Sequence, residues 1–326
     1  MTQVQDREYQ VDEIVADVAR VRIAMVNVYL VGHSRVASRG AAPNSTAARW
    51  VLVDAGLPMG AAEILRVAAD RFGVEIRPSA IVLTHGHFDH VGALDALLAV
   101  WDVPVYAHTA ELPFLTGAAD YPPPDPTVGT PVRTRLAPPA HEAGIDLGDR
   151  VRPLPGNGEV PHLPGWRWIH TPGHTPGHVS LFRASDRLLL AGDALATTDQ
   201  ESMYSGATQR VELCGPPAYL TIDWDKAERS MIALAALRPA VVAAGHGEPI
   251  TEPSVARALA GLASHFKESV RPTHGRYVVQ PALADDDNRE SGVPPPRGRR
   301  VRWGALSGVA AATFAGTWLY RRFGRR

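Results

Sequence analysis

"LTHGHFDH", residues 83–90, crowds three histidines and an aspartate into its last six positions, directly after the apolar run "SAIV". A buried core has no use for such a cluster, because each imidazole and carboxylate needs its own hydrogen-bond partner away from water. His85 and His87 are two apart, so an extended chain puts them on one face, and a turn after Gly86 brings Asp89 and His90 back toward the same point. Imidazole nitrogen with carboxylate oxygen suits Zn²⁺ or a similar first-row ion. Further candidates lie downstream, each just after an apolar strand: His174 in "HTPGHTPGH", Asp193 in "LLLAGD" and His246 in "VVAAGHG". Five histidines and two aspartates suffice for two metals.

Working outward, the short β-branched run that precedes the cluster is a buried strand, and similar runs recur. Residues 22–31 ("RIAMVNVYLV") and 48–56 ("ARWVLVDAG") read as strands with a flexible hairpin insertion between them. An amphipathic helix follows Gly60, another spans "GALDALLAVW", and "PVYAH" is a strand, so this half alternates strand and helix. Residues 121–139 are proline-rich and read as a long loop of the kind that borders active sites. "RVRPLP", "WRWIHT", "HVSLFR" and "RLLLAGD" supply further strands, with a hairpin turn at Ser185 and Asp186. A helix over residues 224–237 leads into the strand "AVVAAGHG", and "SVARALAGLASHF" is a closing helix. The division expected is a catalytic domain over 1–270, a proline- and charge-rich linker over 271–300, and an apolar, arginine-rich tail over 301–326.

Composition bounds the partners. The 326 residues are 45% hydrophobic, enough for a full core. The single cysteine, Cys214, excludes an internal disulfide, nothing near it activates it, and the polar start lacks a signal-peptide core, so a cytoplasmic protein is expected. From Ser291 onward there are eight arginines and no acid, which leaves 25 basic against 34 acidic residues in the rest. An acidic body argues against nucleic acid as the main ligand. Residues 303–320 are uncharged, span about 27 Å as a helix, and carry tryptophan or tyrosine at both ends with arginines outside them. Membrane contact through 301–326 is therefore expected, with the arginines facing anionic lipid.

Taken together, "VDAG" (53–56), "THGHFDH", "HTPGHTPGH", "AGD" and "GHG" resemble, in type and order, the motifs of the metallo-β-lactamase superfamily, over roughly residues 22–266. The resemblance implies an α/β fold, the αββα sandwich, with the site at one edge of two packed sheets. It implies His85, His87 and His174 on one ion, Asp89, His90 and His246 on a second, Asp193 between them, and Asp54 supporting the site from behind. His170 and His178 are expected behind the ligands. His108, His141, His162 and His265 read as ordinary hydrogen-bonded structural residues.

The implied cofactors are two Zn²⁺, with iron or manganese as alternatives, and the nucleophile a hydroxide bridging them, oriented by Asp89. Asp193 stands where the β-lactam-hydrolysing members usually carry cysteine or serine, and "HTPGHTPGH" with "AGD" is similar to the glyoxalase II branch. The reading is a dinuclear hydrolase of a small ester, thioester or lactone, either hydroxyacylglutathione hydrolase-like or lactonase-like. The alternative is a sulfur dioxygenase-like oxidoreductase with one iron.

Overall fold

The computed structural model describes residues 11–34, 49–125, 127–128, 145–199 and 210–282. Eleven strands in these segments form two sheets. The first runs β1 (Val11–Val15), β2 (Val18–Ile23), β3 (Val26–Val31), β4 (Val51–Val53), β5 (Ala80–Val82), β6 (Val105–Ala107) and β7 (Val151–Pro153) in spatial as in chain order. The second has the order β11 (Val241–Ala243), β10 (Leu188–Leu190), β9 (Val179–Arg183), β8 (Trp166–His170). Pairing is antiparallel from β1 to β4 and parallel from β4 to β7, while β10 and β11 are parallel.

The helices are α1 (Ala61–Phe72), α2 (Phe88–Val91), α3 (Leu94–Val100), α4 (Leu112–Leu115), α5 (Trp224–Ala236), α6 (Val255–Ser264), α7 (Phe266–Ser269) and α8 (Arg276–Val279). Parallel neighbours need a crossover, and α1 supplies it between β4 and β5 as α5 does between β10 and β11. Side-chain alternation then sorts the core into layers. Leu52 and Ile81 face α1 and α3 with Ile64 and Leu97. Val51, Val53 and Val82 meet Leu188, Leu190 and Ala243 between the sheets. Leu189 and Val242 pack outward on Trp224, Met231 and Leu259 of α5 and α6. This is the αββα sandwich expected from the sequence.

Two expectations need correction. Residues 22–31 are not one strand: the chain reverses at Ala24 and Met25 between the paired residues Ile23 and Val26. No glycine or asparagine marks this turn; Ala24 takes φ +57° itself, and the next residue's carbonyl is used by the site described below. Residues 271–282, expected to open the linker, lie against the body. Tyr277 of α8 is buried, its hydroxyl donates to Pro123 O, and Asp125 accepts the Arg276 N–H. Among the described residues no helix is long and apolar enough to cross a membrane. The tail 301–326, with its expected membrane contact, lies outside them, as do most of 121–139 and the stretch 200–209 after Asp193.

The layer under α1 is anchored by Trp50, which is fully buried, stacked on Phe72 at 4.4 Å between centroids and edge-on to Trp101 at 5.4 Å, with its indole N–H donating to Ile76 O. Trp50→Ala is expected to lower stability by about 3–5 kcal/mol, read from denaturant midpoints of the metal-free protein. A loss below about 1 kcal/mol would mean that the layer closes over the cavity.

Candidate metal centre

The C-terminal ends of β4, β5, β10 and β11 open onto one edge of the sandwich, and the chain leaving each delivers a polar residue there: Asp54, the 84–90 segment, Asp193 and His246. The loop between β8 and β9 adds His174. All seven expected ligands are buried and converge in three overlapping groups: His85, His87 and His174; His85, His90 and Asp193; Asp89, His90 and His246.

In the first group His87 Nδ1 lies 3.1 Å from His85 Nε2 and 3.0 Å from His174 Nε2. Asp193 stands between this group and the other: Oδ2 is 3.6 Å from His174 Nε2 and 3.2 Å from His246 Nε2, and Oδ1 is 3.5 Å from His90 Nε2. Asp89 Oδ2 completes the far side, 3.5 Å from His246 Nε2 and 4.0 Å from His90 Nε2.

The tautomers are set from behind. Asp54, at φ +61°, aims its carboxylate backwards, where Oδ1 accepts the Thr84 N–H and Oδ2 accepts both the Thr84 hydroxyl and His90 Nδ1–H. The Thr84 hydroxyl, having donated to Asp54, accepts from His85 Nδ1 at 3.0 Å. His246 Nδ1 donates to Met25 O at 2.9 Å, and His174 Nδ1 reaches Thr221 Oγ1 at 3.5 Å. With each Nδ1 protonated, the Nε2 lone pairs of His85, His90, His174 and His246 are left for the cluster, the arrangement a cation needs.

His178 and His170, the two ends of "HTPGHTPGH", part company in space. His178 Nδ1 starts a chain through Thr171 and Ser180 to Ala191 O, and its Nε2 accepts the Asp193 N–H at 2.8 Å, so it orients Asp193 and has no lone pair to offer a metal. His170 is exposed, bonded to Pro176 O, and stacked on His108 at 4.1 Å. Burial and the neighbouring His170 push His108 down to about 4. His265 bonds Gly261 O at the end of α6, His162 occupies a turn with φ +63°, and His141 lies outside the described residues.

Electrostatics divide the cluster. Burial drives His85 well below its ordinary value and His174 to about 4. Burial opposes charge on His90 and His246 too, but there Asp193 and Asp89 prevail and both are raised. Asp193, which burial alone would raise, is held well below the usual carboxylate range by His246 and His90.

A cation pair fits these residues. His90 Nε2 and Asp193 Oδ1 are buried side-chain atoms without a hydrogen-bond partner, although they lie opposite one another across the cluster. Leaving two such groups unsatisfied costs roughly 1–3 kcal/mol each, a cost that a shared positive ion removes. The floor is shaped to match: a Cβ at Gly245 would overlap Asp193 Oδ1 and stand 2.8 Å from His90 Cε1. Gly245→Ala is expected to weaken binding of the ion between Asp89, His90 and His246 by at least about tenfold, measured by chelator competition. Unchanged affinity would mean that the cluster tolerates the displaced Asp193.

Sequence reasoning did not find Glu111, which is wholly buried beneath the cluster, nor the Arg20 and Asn27 contacts that hold Gly247 O. None belongs to a spacing motif.

The profile of the metallo-beta-lactamase superfamily matches residues 25–246, more than half of the chain. The chain is 46% identical over 217 residues to the probable metallo-hydrolase YflN of Bacillus subtilis (strain 168), a match covering 67% of this chain and 82% of that protein. It is 29% identical over 170 residues to the hydroxyacylglutathione hydrolase of Erwinia tasmaniensis, covering 52% of this chain and only 51% of that relative. Among solved structures, a beta-lactamase domain protein from Burkholderia ambifaria shares the fold with a TM-score of 0.53 over 79% of this chain and 76% of that one, at 18% identity.

Proposed function

The chain belongs to the metallo-β-lactamase superfamily, and from that premise we propose that it is a dinuclear metal-dependent hydrolase of a small ester, thioester or lactone. The observation that carries the reading is the placement of Asp193, with one oxygen toward His90 and the other toward both His174 and His246. His85, His87 and His174 would hold one ion, Asp89, His90 and His246 the other, and Asp193 both. When bound, two divalent ions lower the pKa of a shared water to about 7 and polarise the carbonyl under attack.

The chain's own residues do the rest. Asp89, facing His246 across the far side of the cluster, orients the attacking water and holds its proton. His178 fixes the backbone at Asp193, and Asp54 fixes His85, through Thr84, and His90, so that no ligand has to reorganise as charge develops. No serine or cysteine nucleophile is required, and Cys214 is unsuited to the part, since burial pushes its thiol up to about 12.

A complete second set of ligands speaks against the alternative of a single-iron sulfur dioxygenase. The name of the Erwinia relative favours thioesters within the substrate class. The metal itself is expected to be zinc, with iron or manganese as alternatives. Hydrolysis of thioesters, lactones, phosphodiesters and β-lactams, followed on one preparation whose metal content is measured, tests the reading. Turnover of a thioester or lactone with about two ions per chain supports it. Turnover confined to phosphodiesters, or oxygen consumption with a persulfide and one iron per chain, would replace it.

A further inference from the structure

Glu111, just after β6 and immediately before α4, is fully buried, and three of the four hydrogen bonds it accepts come from the loops that carry His85, His87 and His174. Oε2 accepts the Gly86 N–H at 3.0 Å and the Tyr121 hydroxyl; Oε1 accepts the Thr175 hydroxyl and the Gly177 N–H, each at 2.7 Å. Gly86 separates His85 from His87, Thr175 follows His174, and Gly177 precedes His178. One carboxylate therefore ties a loop leaving the first sheet to a loop of the second, and four donors occupy the roughly four lone-pair sites of an ionised carboxylate.

The fit around this carboxylate is close. A Cβ at Gly177 would stand 2.7 Å from Glu111 N and 2.8 Å from its Cγ. Tyr121 also accepts the Gly86 N–H, at 3.0 Å, and packs its ring on His87 at 4.6 Å and on Phe114 at 4.0 Å. Burial raises the Glu111 carboxyl above its ordinary value, while its four donors act the other way. The other half of the cluster hangs on different supports, Asp54 for His90 and Met25 O for His246.

We propose that Glu111 is a positioning residue for the three-histidine half of the cluster: by fixing the separation of the Gly86 and Thr175 loops it sets that half's affinity for its ion and leaves the Asp89–His90–His246 half unchanged. This rests on the two-ion reading above. Glu111→Gln keeps the shape but turns an N–H₂ toward two donors, and Tyr121→Phe removes one of the four hydrogen bonds.

The test is titration of the metal-free full chain with Zn²⁺ against a chromophoric chelator, giving a Kd for each ion. The three-histidine site is identified as the one that His87→Ala abolishes. Glu111→Gln is expected to raise the Kd of that site by about 10–100-fold and Tyr121→Phe by a smaller factor in the same direction, the other Kd holding within about twofold. A general structural role would instead weaken both ions together and lower the melting temperature of the metal-free variant, and that result overturns the proposal, as does an unchanged Kd. If Glu111→Gln does not fold, Tyr121→Phe decides by the same criterion. A wild-type chain that takes up only one ion defeats the two-ion reading instead; the Glu111 proposal then stands only if His87→Ala abolishes that ion and Glu111→Gln raises its Kd, and falls otherwise.

Discussion

Asp193→Ala is expected to leave the purified protein with one ion per chain or fewer and to lower turnover by more than about 100-fold. Loss of a partner behind a metal ligand typically costs about 10–100-fold in affinity or activity, and on the two-ion proposal removing the carboxylate that would be shared exceeds that. Asp193 is the carboxylate whose two oxygens face histidines of both halves, at 3.5 Å from His90, 3.2 Å from His246 and 3.6 Å from His174. Its backbone is independently held by His178, so the substitution removes the charge without releasing the loop. Elemental analysis after dialysis reads the effect directly. A metal content equal to the wild type's would withdraw Asp193 from between the ions.

The contrast between Asp193 and its neighbours shows how far the sequence could be read. Each of the seven residues follows an apolar run within a few positions or lies in a dense motif, so strand pattern and residue type located them together. Within "HTPGHTPGH" the reading takes His174 as the ligand and puts His178 behind it, and in the fold His174 turns its Nε2 into the cluster while His178 turns its own to the Asp193 N–H. That bond of His178 is to a residue 15 positions away and was not itself legible. Glu111 was illegible for a stronger version of this reason: its partners lie 10 to 66 positions off, and no local spacing records them.

The β2–β3 reversal was hidden because Ala24 adopts a left-handed conformation that carries no sequence signature. Its Met25 carbonyl accepts from His246, 221 positions away, and the hairpin strands hold the same loop through Asn27 and Arg20. Tertiary contact there outweighs local propensity. Asp54 is the converse case. Its position before Ala55-Gly56 suggests a turn former or a site supporter with equal force, and in the fold it is both: the left-handed φ is what points its carboxylate at Thr84 and His90.

Asp89→Asn is expected to separate chemistry from assembly. Asp89 lies in the first turn of α2, with His87 as its extended N-cap, and its Oδ2 faces His246 Nε2 at 3.5 Å and His90 Nε2 at 4.0 Å. Asparagine preserves the volume and one oxygen but removes the charge, so packing around α2 should survive. The melting temperature of the metal-free variant is accordingly expected to stay within about 2 °C of the wild type, a shift of about 1 kcal/mol or less. Turnover should nevertheless fall by about 10²–10⁴-fold, the range associated with losing a positioned acid or base, because a neutral amide cannot take the proton of the attacking water. The ion held by His85, His87 and His174 should remain at full occupancy, since none of those three contacts Asp89 in the geometry above. In this respect the variant differs from Asp193→Ala, in which metal content is the first casualty. Steady-state kinetics with saturating metal distinguishes the two: restoring the second ion by mass action recovers little activity in Asp89→Asn if the carboxylate acts on the water, and most of it if Asp89 serves only as a ligand. Full recovery would confine Asp89 to metal binding and leave proton transfer to Asp193.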